Sequence, residues 1–156
     1  MNRKYELTGE VIEFEGRELR RIRIVKSGLY GGYVESERNL SQEGECLVYQ
    51  DAKVFGDAVV TGDARVFGNA IVEEYAAVTG DAMVFDNARV SGNAVVEDKA
   101  DVCHNARVSG AAIVSGRAQV LDSAQISDSA SVAGKATVRG NVHFRGSHCI
   151  HIGTID

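Results

Sequence analysis

Three residues carry the side chains best suited to chemistry: Asp86, His104 and Asp122, spaced evenly at 18 residues. Two carboxylates flanking an imidazole would favour its charged form and orient the ring. A histidine held in that way is the general base that acyl transfer requires. The arrangement exists only if residues 18 apart are brought side by side. A second cluster, His143, His148, Cys149 and His151, offers ligand types that suit zinc or another transition metal. Its spacing matches no structural zinc pattern, so no metal is expected there.

The elements that would bring Asp86, His104 and Asp122 together are written in a six-residue period. Every sixth residue from Ala52 to Ala136 is Ala, and two residues after each comes Val, or Ile at Ile126. Before the run, Cys46 stands in the Ala position and Val48 in the Val position. After it, Val142 and His148 replace Ala, and Phe144 and Ile150 replace Val. Residues two apart in an extended segment point the same way, so Ala and Val share one inward face. Gly and Asp or Asn follow and tolerate the backbone of a corner. Each unit is one short strand and one corner. Corners this frequent do not suit an antiparallel meander, but they do suit a coil whose strands stack on those of the next coil.

The repeat resembles the hexapeptide-repeat superfamily. That resemblance implies a left-handed parallel β-helix, all-β, with three hexapeptides and 18 residues per coil. Cys46 to Ile150 then gives just under six coils. It divides the chain into residues 1–47, a small β-hairpin capping module, and 48–156, the β-helix with a closing strand. In the module, Tyr5–Phe14 and Leu19–Val25 read as strands around Glu15-Gly16-Arg17. Its Arg17, Arg20, Arg21 and Arg23 lie near Glu10, Glu13, Glu15 and Glu18, a pattern read as cross-strand ion pairing. A cap is needed because the first coil would otherwise expose unpaired backbone and apolar ends. Phe144 is large enough to plug the other end of the core.

The hairpin, the lead-in GGYVESERNLSQEGE and the Ala-x-Val repeats together resemble small phage and prophage hexapeptide-repeat proteins, often labelled putative transferases. The wider superfamily implies acetyl-coenzyme A as cofactor and His104 as base for any acyl transfer. Those enzymes usually carry a loop that protrudes from the coils, and here the repeat runs from Val48 to Val138 without insertion. The absence of that loop favours a non-catalytic scaffold or binding protein with no cofactor.

Stacked columns say where partners would bind. Val59, Ala77, Val95, Ile113 and Ser131 form one outward column, beside Thr61, Thr79 and Ser115. Tyr49, Phe67, Phe85, Cys103 and Leu121 form another near a corner. Two apolar stripes on an outer surface point to self-association or a partner. The superfamily implies a homo-oligomer, commonly a trimer, and the phage resemblance suggests a host protein as a further partner. Lys53, Arg89 and Arg107 on one face, and Arg65, Asp101 and Gln119 on another, read as solvated. Asp51, Asn69, Asn87, Asn105, Ser123 and Asn141 form a corner ladder of structural amides.

Net charge is −5, which disfavours a general nucleic-acid binder. Three cysteines without paired spacing fit a reducing cytoplasm. The sequence has no membrane-length apolar run.

Overall fold

The computed structural model describes residues 2–156. It is an all-β parallel solenoid of about seven turns. Two-residue strands stack into three sheets, which form the faces of a prism; the sheets have nine strands, with three longer N-terminal ones included, seven and six. The Val95 face runs from Val59–Val60 to Cys149–Ile150. The Arg65 face runs from Leu47–Val48 to Thr154–Ile155. The third, the hairpin face, runs from Lys53–Val54 to His143–Phe144 and continues into the N-terminal strands.

Register is in parallel steps of 18: Val84 pairs with Val66 and Val102, and Val95 with Ala77 and Ile113. The inward Ala and Val side chains from Ala52 to Val138 are fully buried in one continuous core. Small and branched residues alternate, so every layer fills a narrow prism without large voids. The final turn loses one residue at its corner, and Thr137 pairs with Thr154 rather than with residue 155. Phe144, Ile150 and Ile155 pack against this end of the core.

The solenoid begins before residue 48. β1 (Tyr5–Phe14) and β2 (Arg17–Ile24) form an antiparallel hairpin through Glu15 and Gly16, both at positive φ. β3 (Tyr30–Val34) is antiparallel to β2 on one side and parallel to Lys53–Val54 on the other. Leu40 then bridges to Val60, and Leu47–Val48 pairs with Arg65–Val66. Residues 33–48 are therefore one irregular turn, which brings the expected six or so coils to about seven. Gly32 lets β3 sit close: a Cβ there would lie 2.6 Å from the Ala52 carbonyl oxygen and from a Val48 methyl.

Asn39 completes this first turn. It is fully buried, and its amide donates to the carbonyls of Gly56 at 3.0 Å and Ala58 at 2.9 Å. Its oxygen accepts the Ser36 N–H at 2.9 Å. One side chain thus satisfies backbone groups that a regular strand would have paired. Removing it strands buried polar groups at about 1–3 kcal/mol each. Asn39→Ala is expected to lower stability by roughly 3 kcal/mol, read as a lower urea midpoint at unchanged slope.

The hairpin does more than close the end. Tyr5 and Ile22 extend the inner core, and the Tyr5 hydroxyl donates to the Leu40 carbonyl at 2.6 Å. A register shift between Leu7 and Val11 separates this part of the hairpin from its outer part. Beyond the shift, Leu19, Ile12 and Phe14 pack on the outside of the prism against Phe55 and Ile71. At the tip, Glu15 accepts from Arg89 at 3.0 Å, and Glu73 holds the same guanidinium. Arg89 is thus half-buried and bonded twice, not solvated as its column suggests. Of the N-terminal arginines, only Arg21 pairs with a glutamate of the expected set, Glu10; Arg17 pairs instead with Glu35 of the first turn, and Arg23 with Glu6.

Candidate functional site

Asp86, His104 and Asp122 occupy one column at the vertex between the Arg65 face and the hairpin face. All three have positive φ, at 58°, 57° and 60°. That backbone is costly for a residue with a Cβ, so each should return something. The return is a hydrogen bond along the prism axis. At these corners the N–H of one turn points at the turn before it, where a glycine offers no acceptor. Asp86 accepts the His104 N–H at 3.2 Å, His104 Nδ1 accepts the Asp122 N–H at 3.1 Å, and Asp122 accepts the Gly140 N–H at 3.1 Å. Gln50, Glu74, Asp98 and Asp128 do the same for Gly68, Gly92, Gly116 and Gly146. Each non-glycine corner of the solenoid at positive φ thus pairs a backbone N–H of the next turn.

This gives His104 a structural role beside any chemical one. Its Nδ1 also lies 3.2 Å from Asp122 Oδ1, and its Nε2 lies 4.0 Å from Asp86 Oδ2. When Nδ1 accepts the Asp122 N–H, the proton sits on Nε2. When Nδ1 carries the proton, it donates to the Asp122 carboxylate instead. The ring is held in one plane by either arrangement.

Around the column lies an open groove of about 550 Å³, lined by Gly68, Asn69, Asp86, Asn87, His104, Asn105, Asp122 and Ser123. The lining carries no Lys or Arg. In the amide ladder, Asn69 donates to Asn87 at 3.3 Å. Beneath the groove is Cys103, almost fully buried. Burial, then the carboxylates of Asp86, Asp101 and Asp122, push its thiol up to about 11. Asp101, on the Arg65 face, is raised by burial and partly relieved by its hydrogen bond from Gln119.

The two apolar stripes do not meet. Val59, Val95 and Ile113 lie on the Val95 face, whereas Phe67, Phe85 and Leu121 lie at the opposite vertex, beside the groove. Phe67 and Phe85 stack on each other, ring centroids 4.9 Å apart. The columns of the sequence do not single out Tyr75, the most exposed aromatic side chain beside the Val95 face, at 66 %. An aromatic where neighbouring repeats have Asp, Asn, Ala or Ser was the available signal. His143, His148, Cys149 and His151 are all exposed near the last turn, and His148 Nδ1 lies against the Arg145 carbonyl at 2.6 Å.

Residues 82–98 match the family described as the YdcK beta solenoid repeat. The match covers one short stretch of the repeat and agrees with the solenoid observed. No curated protein matches the chain. Among the described residues no helix is long and apolar enough to cross a membrane.

Proposed function

We propose that this protein is a non-catalytic scaffold that pairs with a second copy of itself through the Val95 face. The observation that carries this reading is that the face is complementary to itself when turned end for end about Val95. Under that two-fold, Ala77 meets Ile113 of the other copy, and Tyr75 meets Ala111, so each large exposed side chain faces a small one. The vertex beside the face is charged in sequence: Asp63 and Asp81 at one end, Lys99 in the middle, Arg117 and Lys135 at the other. The same rotation sets Asp63 against Lys135 and Asp81 against Arg117. Interfaces of this isologous kind require such internal symmetry.

Size agrees. Six strands about 4.8 Å apart, with repeats of six residues at about 3.3 Å, make a face on the order of 600 Å². A standard interface needs about 800 Å² of accessible surface per partner, which side-chain relief and Tyr75 can supply. Three copies around a shared parallel axis, as the superfamily resemblance implies, would set equal heights together and leave the charged rim with only its contact within each chain, Asp81 to Lys99 at 3.9 Å. The rim therefore favours two. A host protein, which the phage resemblance implies, would compete for the same face.

Acyl transfer at His104 is the weaker reading. Coenzyme A carries phosphates, and the groove presents Asp86 and Asp122 with no cation in its lining. Acetyl-coenzyme A is expected to leave the melting temperature unchanged, and a rise at saturating ligand would favour the enzyme. The pairing is tested by charge exchange. Asp81→Lys creates two like-charge contacts per pair and should weaken association by about tenfold. Adding Arg117→Asp should restore it, and a double variant no tighter than the single one overturns the geometry.

A further inference from the structure

We infer that Asp86, Cys103 and His104 form a binding site for a borderline divalent transition ion of the zinc or cobalt type. A carboxylate oxygen, a thiol sulfur and an imidazole nitrogen there lie within 4.8 Å of one another. Hard, intermediate and soft donors stand together, a set that suits these ions and not magnesium or calcium. Ligand atoms in a tetrahedral site lie about 3.3–3.8 Å apart, so the site must contract by about 1 Å. Asp86 is an exposed side chain and can make that movement. A water from the groove would take the fourth position.

The neighbours of the cluster suit the same purpose. His104 Nε2 is the nitrogen that faces Asp86 Oδ2, at 4.0 Å. For Nε2 to bind an ion, the ring proton must sit on Nδ1, and Asp122 Oδ1 stands 3.2 Å away to accept it. A carboxylate behind a ligating histidine fixes its tautomer and raises its basicity. The Asp122 N–H then turns to water in the groove. Cys103 would bind as thiolate, its proton released to solvent as the sulfur–metal bond forms. Nearby Asp101 and Asp122 add negative charge that attracts the cation. The site lies away from the Val95 face, so it stands or falls independently of self-association.

The test uses cobalt(II), whose thiolate complexes absorb in the near ultraviolet. Titrating the full chain should produce a charge-transfer band that saturates at one ion per chain. Cys103→Ser should abolish it, and Cys149→Ser, which removes the exposed thiol near His148 and His151, should leave it intact. His104→Gln removes the nitrogen yet keeps an acceptor for the Asp122 N–H, as Gln50 provides for Gly68. It should weaken cobalt binding at least tenfold without loss of fold. Asp122→Asn should weaken it by about tenfold. No band with folded wild-type protein overturns the proposal. So does a band that survives Cys103→Ser and disappears with Cys149→Ser.

Discussion

Replacing Val84 by Asp is expected to abolish the cooperative fold. Val84 lies in the middle of the stack, fully buried, between Val66 and Val102 of the adjacent turns. The core around it is built of Ala and Val and holds no cation to pair with a carboxylate. An unpaired charge in such a place costs several kcal/mol even after relaxation. The whole stability of a domain is about 5–15 kcal/mol. A solenoid is held turn to turn, so a defect at its middle divides the stack into two short pieces. Circular dichroism should show loss of the β signal at neutral pH, with partial recovery in acid as the carboxyl protonates. Val84→Ala removes only methyl groups and should remain folded, less stable by roughly 2 kcal/mol. A Val84→Asp protein with wild-type melting would contradict the core described for residues 48–138.

The core was readable in the sequence because it is periodic. Ala at every sixth position and Val two later fix which side chains point inward and that residues 18 apart stack, and both hold from Val48 to Phe144. Outside the period the strands of the hairpin were readable, but its packing was not. Glu15 and Arg89 are 74 residues apart, and nothing in their local patterns announces that the hairpin tip folds back over the outer surface. Residues 33–48 break the hexapeptide rule, yet they make a turn, because Asn39 and Leu40 do by hydrogen bond and bridge what the repeat does by strand. At the candidate site, the column of Asp86, His104 and Asp122 was legible from spacing alone. Its backbone role was not, since a periodic string does not show that these corners take positive φ or that each side chain meets the next turn's N–H. Cys103 was read as one member of an apolar stripe, and only the corner geometry brings its sulfur near His104 and Asp86.

Val95→Glu is expected to separate the proposed pair into single chains without unfolding them. Val95 is half-buried in the isolated chain, and its side chain points out of the prism. Its column sits on the two-fold of the proposed pair, so one substitution sets two carboxylates face to face in an apolar contact. Desolvating that charge pair should cost several kcal/mol, which corresponds to a loss of affinity of about 100-fold or more. The strand hydrogen bonds of Val95 are backbone bonds to adjacent turns and survive the change. Phe85→Glu provides the contrast. Phe85 stacks on Phe67 at the far vertex, so its loss should reduce stability and leave the mass of the assembly unchanged.

The most direct measurement is the molar mass by light scattering of wild type, Val95→Glu and Phe85→Glu at micromolar concentration. The expected result is two chains for wild type and Phe85→Glu, and one folded chain for Val95→Glu. A single-chain wild type, or a Val95→Glu protein with the wild-type mass, would contradict self-association through this face.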